Sequence, residues 1–293
     1  MRRLFILLIL AIPFTVSAQR PNVGRASPPT VVVFKSTSAP TWTPADTLTG
    51  GALPIVWLDP DDTATIYTKD HGAEALVLAS DTSAYLSKIT SKGSRAGVYV
   101  NSNPNQYPYW TRHMKGGRGA RRFSESPGKM YEVWGPTKLI WGELAPKAWT
   151  YIIVSSVVAT SGGYGTYEAA DAIDGYSQIQ ETSTTATSIY NNNNVFYSVT
   201  HAALDTNFHV TVLRKTGPHT LGVMTRFLDG VIDGTVGSMA ENGQVSTIRH
   251  VTAGFAQTLE GIEGDLIIYD VGLSDADIIN KVVPNLKTKY GTP

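Results

Sequence analysis

Two short segments of the chain carry the aromatic and polar side chains that a carbohydrate-binding surface needs. Aromatic rings pack against the C–H faces of sugars, while amides, carboxylates and guanidinium groups hydrogen-bond to sugar hydroxyls. The polar loop that ends at residue 112 and the glycine-rich loop after residue 161 both offer this mixture. They predict ligand contacts at Tyr107, Tyr109, Trp110, Arg112, Tyr164 and Tyr167. For Tyr109 and Trp110 the alternative is a place in the hydrophobic core.

The sequence lacks the residue patterns that catalysis on a polysaccharide needs. Glycosidases place two carboxylates at one cleft, which alternate positions on a strand achieve. The nearest acidic cluster, Glu260, Glu263 and Asp265, precedes the last predicted strand instead. There is no Gly-x-Ser-x-Gly motif, no paired histidine spacing for zinc, and no cysteine for thiolate chemistry. We therefore expect a protein that is not an enzyme.

The elements that must position these segments are predicted to be strands. Only 16% of the residues are charged, and runs of β-branched and aromatic residues alternate with turns such as Asp229-Gly230 and Asn242-Gly243. Many short strands at near-regular spacing indicate an all-β sandwich or barrel. Only two places resemble a helix: residues 81–87, and a C-terminal stretch that Ser274 begins as N-cap and that ends at Gly291.

The N-terminal residues have the pattern of a secretory signal peptide. Arg2 and Arg3 precede an apolar run too short to cross a membrane, and small residues precede Gln19. We predict a signal peptide at residues 1–18, with a permanent anchor as the alternative. Residues 19–52 are rich in Pro, Ser and Thr and are predicted to form an arm or linker, and residues 53–293 form the main domain.

Composition and localisation narrow the class of partner. The 24 basic and 24 acidic residues leave no net charge to attract a polyanion, so nucleic acid is not an expected partner. The signal peptide predicts a secreted protein, whether extracellular, periplasmic or on a virion surface, without a permanent membrane span.

Six segments resemble the concanavalin A-like lectin/glucanase superfamily, in particular the laminin G-like domains of bacterial and phage proteins. They are residues 56–59, 117–123, 208–212, 226–230, 261–278 and 286–291. The closing stretch, from Gly261 through the predicted helix, is the most similar. The resemblance implies a jelly-roll sandwich of two antiparallel sheets with paired terminal strands and a short C-terminal helix. It also implies a structural role for His209.

This resemblance does not assign an activity, since the same fold serves many functions. We expect a non-catalytic binding or adhesion module for a glycan or surface polysaccharide. One alternative is a structural or virion-surface protein that assembles through residues 19–52, and another is a divergent glycoside hydrolase or lyase. Laminin G-like domains often hold one Ca²⁺, which makes Asp171 and Asp174 candidate ligands; the alternative is that both cap turns.

Overall fold

The computed structural model describes most of the main domain. The described residues are 42–94, 98–100, 109–112, 118–123, 130–133, 148–161, 165–172, 175–183, 186–190, 196–200, 205–217, 222–239, 247–251, 253–254 and 257–292. The predicted signal peptide and residues 19–41 of the predicted arm lie outside them. Within the described ranges no helix has both the length and the apolar character that crossing a membrane requires.

Nineteen strands make up most of the described structure. In the first half of the chain they are β1 (Val56–Leu58), β2 (Ile66–Thr68), β3 (Ala75–Leu76), β4 (Ser83–Thr90), β5 (Val98–Val100), β6 (Tyr109–Thr111), β7 (Ala120–Phe123), β8 (Met130–Val133) and β9 (Trp149–Ser161). In the second half they are β10 (Gly165–Ala172), β11 (Gly175–Ser183), β12 (Ala186–Tyr190), β13 (Phe196–Thr200), β14 (His209–Thr216), β15 (Gly222–Leu228), β16 (Val231–Met239), β17 (Thr247–Val251), β18 (Ala253–Gly254) and β19 (Gln257–Tyr269).

All pairings are antiparallel and form two sheets. Sheet A runs β16–β15–β14–β9–β19, and the far side of β19 pairs with β1, β7 and β18. Sheet B runs β3–β2–β4–β5–β8–β17–β10–β11–β12–β13. Strand β4 belongs to both, because its first residues pair with β6, which continues sheet A beyond β7. The predicted all-β jelly-roll sandwich is confirmed.

Sheet A is buried on both of its faces. Tyr151 and Ile153 of β9 belong to the core shared with sheet B, whereas Ile152 and Val154 belong to a second core on the opposite face. Alternate residues of a strand point to opposite faces, so a strand that is covered on both sides is apolar throughout. This explains why the residues from Tyr151 to Val154 of β9 are all apolar and buried.

A C-terminal helical segment covers the second core. It consists of α1 (Asp275–Asp277), a π-helical turn (Ile278–Val282) and α2 (Val283–Tyr290). The predicted N-cap is confirmed, because the Ser274 hydroxyl accepts a hydrogen bond from the backbone N–H of Asp277 at 3.1 Å. Gly291 ends the segment with a left-handed backbone, at a φ of 61°.

Two predictions about chain organisation are wrong. Residues 42–52 are not part of a separate arm, since Trp42, Leu48 and Ala52 are buried in the second core. The packed domain therefore begins by Trp42 rather than at residue 53. Residues 81–87 are not helical, since β4 begins at Ser83 and buries alternate residues from there.

Candidate functional site

Strand β6 divides the predicted aromatic contacts between two faces. Trp110 is completely buried, and its indole N–H donates to the carbonyl oxygen of Pro60 at 2.7 Å. Its ring therefore belongs to the core between the sheets, and the prediction that Trp110 contacts a ligand is wrong. Tyr109, one position earlier, is half-buried on the opposite face of the strand.

Tyr109 forms a stacked pair with a residue that the sequence did not identify. Tyr85 of β4 lies directly opposite Tyr109 in the antiparallel register. The two ring centroids are 4.3 Å apart with planes inclined at 37°, and the Tyr109 hydroxyl donates to the Tyr85 hydroxyl. Tyr85 is 40% exposed, so the pair offers an aromatic face to solvent. We call Tyr85 and Tyr109 the tyrosine pair.

Arg112 directly follows β6 and is held by the segment before β4. Its guanidinium donates to the carbonyl oxygen of Ala79 at 2.5 Å, and its backbone N–H donates to Thr82 at 2.9 Å. The guanidinium carbon also lies 5.5 Å from the ring centroid of Trp110. Of the predicted contacts, the structure thus places Tyr109 in the tyrosine pair and Arg112 near the ring of Trp110.

Further polar groups are fixed near the start of β4. The Asp70 carboxylate accepts a hydrogen bond from the backbone N–H of Tyr85 at 2.9 Å. The carboxylate of Asp81 lies 3.0 Å from the His71 ring and accepts from the backbone N–H of Leu78 at 2.7 Å. The bond to His71 and the bond from Leu78 lower the pKa of Asp81, so this carboxylate is ionised at neutral pH.

The remaining predicted residues are placed only in part. Tyr107, Tyr164 and Asp174 lie outside the described residues. Tyr167 and Asp171 lie on strand β10, where the structure describes the backbone alone. In the part of the chain that is described, no three His, Asp or Glu side chains form a group suited to a metal ion. The calcium site at Asp171 and Asp174 stays a prediction.

His209 connects a loop with a hairpin. Its ring nitrogens lie 2.7 Å from the Asp229 carboxylate and 2.9 Å from that of Asp205. Asp229 and Gly230 form the two-residue turn between β15 and β16, and both have positive φ values, 52° and 89°. Hydrogen bonding to Asp229 raises the pKa of His209, with a smaller contribution from Asp205. These contacts agree with the structural role that the resemblance implies.

Comparison with known proteins supports the fold. The receptor binding domain of botulinum neurotoxin D is similar with a TM-score of 0.53 and 11% identity, covering 82% of this chain and 56% of that one. Another structure, of the botulinum neurotoxin serotype D binding domain, has a TM-score of 0.51 and 10% identity, covering 80% and 51%. This chain therefore spans about half the length of those domains. No protein-family profile matches the chain, and the comparison with curated proteins gives no match.

Proposed function

We propose that this protein is a non-catalytic module that binds a glycan or surface polysaccharide through the tyrosine pair. The observation that carries the proposal is the solvent-facing pair of Tyr85 and Tyr109. Tyr85 is exposed and Tyr109 is half-buried, so the pair keeps aromatic ring area available to a sugar face.

The polar groups next to β4 and at the end of β6 suit sugar hydroxyls. Arg112 and His71 supply hydrogen-bond donors, and the Asp70 and Asp81 carboxylates supply acceptors. The tyrosine pair lies on two adjacent strands, so it forms a surface that is open along the sheet rather than an enclosed pocket. Such a surface suits the internal units of a polymer, whose sugar faces stack on aromatic rings.

The structural comparison supports a binding role for the fold in a general way. The similar neurotoxin domain is described as receptor binding, which shows that a sandwich of this shape can serve recognition. At 11% identity the likeness extends to the fold alone, so the ligand of this chain must be argued from its own residues.

The experiment is a binding screen against bacterial, plant and animal polysaccharides, followed by variants. Tyr85→Ala and Tyr109→Ala together should weaken binding by about tenfold, since an aromatic contact contributes roughly 0.5–1.5 kcal/mol beyond its buried area. The Tyr85→Phe, Tyr109→Phe double variant keeps both rings and should retain most of the affinity. Ile232→Ala, at an exposed site on β16, is the surface control. Unchanged binding by the double alanine variant rules the proposal out.

We also propose that the protein acts outside the cytoplasm. The basic and apolar N-terminal residues and the small side chains before Gln19 support cleavage at that point. Mass determination of the secreted product should give a chain that begins at Gln19, and an intact Met1 in the mature protein would contradict the proposal.

A further inference from the structure

A second concave site lies away from the tyrosine pair. It is a cleft of about 380 Å³ between the segment that precedes β1, the turn that follows β1, and helix α2. Trp42 forms one wall, Trp57 and Asp59 a second, and Thr288 and Lys289 of the helix a third. Ligand pockets span roughly 300–1,000 Å³, so this volume has room for one small ring rather than for a polymer.

Two walls of the cleft are aromatic. Trp42 and Trp57 are 8% and 9% exposed. Leu286 of helix α2 is buried and also lines the cleft. Neither indole N–H has a hydrogen-bond acceptor among the described residues. Both N–H groups are buried, so what the cleft presents is indole ring surface, which packs well against the apolar face of a ring.

The charged groups of the cleft are already paired with one another. The Lys289 ammonium lies 2.7 Å from Asp59 and 2.9 Å from Asp265. The other oxygen of Asp59 lies 3.2 Å from the Lys92 ammonium, which also sits 4.0 Å from the ring centroid of Trp57. A charged ligand would have to break one of these pairs in a partly buried place, which is costly. The cleft therefore favours an uncharged ligand.

The mouth of the cleft offers both donors and acceptors. Arg118 and Asp61 form an ion pair at 3.1 Å, and their side chains are 49% and 25% exposed. The backbone N–H of Gly119 donates to the second oxygen of Asp61 at 2.8 Å. A carboxylate has about four acceptor sites and a guanidinium five donors, so both groups keep hydrogen-bonding capacity for hydroxyls.

We infer that this cleft binds a single uncharged, hydroxylated ring, such as one sugar unit or a cyclitol. An apolar ring face lies against the indoles of Trp42 and Trp57, and hydroxyl groups bond to Asp61 and Arg118. This site is independent of the proposed function, because it shares no residue with the tyrosine pair.

The probes are methyl glycosides of glucose, galactose, mannose and N-acetylglucosamine, together with myo-inositol. Binding to the whole protein is followed by saturation-transfer NMR and by tryptophan fluorescence. Arg118→Ala removes an exposed donor with little effect on stability. Thr288→Arg places a long side chain in the cleft, and Asn280→Arg adds the same side chain at another exposed helix position as its control.

At least one probe should bind saturably to the unmodified protein. Arg118→Ala should weaken that binding by about tenfold, Thr288→Arg should abolish it, and Asn280→Arg should leave it unchanged. The Tyr85→Ala, Tyr109→Ala variant should bind the probe normally, which separates this site from the polymer-binding surface. The inference is overturned if no probe binds, or if Thr288→Arg binds as well as the unmodified protein does.

Discussion

Replacing Lys289 by Met tests how the C-terminal helix is attached to the sandwich. The ammonium of Lys289 is the shared partner of two carboxylates, and their side chains are only 9% exposed for Asp59 and 1% for Asp265. Methionine keeps the apolar stem and removes the charge. Asp59 retains Lys92 as a partner at 3.2 Å, whereas Asp265 loses the cation that its carboxylate contacts.

The expected loss of stability is large and depends on pH. Removing one partner of a buried ion pair costs about 3–5 kcal/mol, because the other charge stays buried. Burial raises the pKa of Asp265 to about 7. At pH 8 the Asp265 carboxylate of the variant either stays charged without a partner or takes a proton from alkaline solution. Both outcomes are unfavourable, so the variant shows the full loss of stability. At pH 5 the Asp265 carboxyl group is protonated and neutral, so the loss of stability caused by Lys289→Met falls by ~1 kcal/mol or more. Each pH unit over which two states differ by one bound proton changes their free-energy difference by up to about 1.4 kcal/mol.

Urea denaturation followed by tryptophan fluorescence, at pH 8 and at pH 5, measures both values. Lys287→Met is the control, because Lys287 lies in the same helix and forms no ion pair among the described residues. Its effect should stay within about 0.5 kcal/mol, as for most surface substitutions. A loss below ~1 kcal/mol for Lys289→Met at pH 8, or an equal loss at both pH values, would refute the reasoning.

Three further predictions concern other parts of the domain. Gly264→Ala should lower stability by about 1–3 kcal/mol in the same denaturation assay, since an added Cβ would lie 2.5 Å from the buried Tyr290 ring; a neutral result would contradict this packing. NMR titration should give His209 a pKa above 6.5, and Asp229→Asn should lower that pKa. Protonated His209 therefore stabilises the fold below pH 6.5, and this stabilisation is lost as the pH rises through the folded pKa. An unchanged pKa in the variant counts against the contact. Calcium should raise the melting temperature, and Asp171→Ala should abolish the rise; a rise that persists in the variant places the ion elsewhere.

The sequence predicted the sandwich because its signals are local. Turn residues, β-branched runs and the capping residue Ser274 act within a few positions of the elements they define, and the structure confirms the helix from that cap to Gly291. The segment containing Trp42 and Leu48 was assigned to the arm because Pro, Ser and Thr dominate its composition. Burial of those two side chains depends on a core built by strands far along the chain.

The binding surfaces were harder to predict because they depend on which face each side chain occupies. Tyr109 and Trp110 are adjacent and chemically alike, and only the pairing of β6 with its neighbours decides which of them is exposed. The sequence does not single out Tyr85, because the pattern of residues 81–87 favours a helical turn over the strand that the structure shows. The cleft brings together residues from positions 42 to 289, and no spacing in the sequence indicates that proximity.

The pairing of β1 with β19 sets a minimum time for folding during synthesis. About 210 residues separate Val56 from its partner Ile268. At about 5–20 residues per second, roughly 10–40 s pass between the synthesis of the two strands. For that time Val56, Trp57 and Leu58 have no strand to pair with, although all three are buried in the finished domain. Sheet A can therefore gain β1 only after Ile268 has been synthesised, so this part of the sandwich depends on a contact between distant segments of the chain.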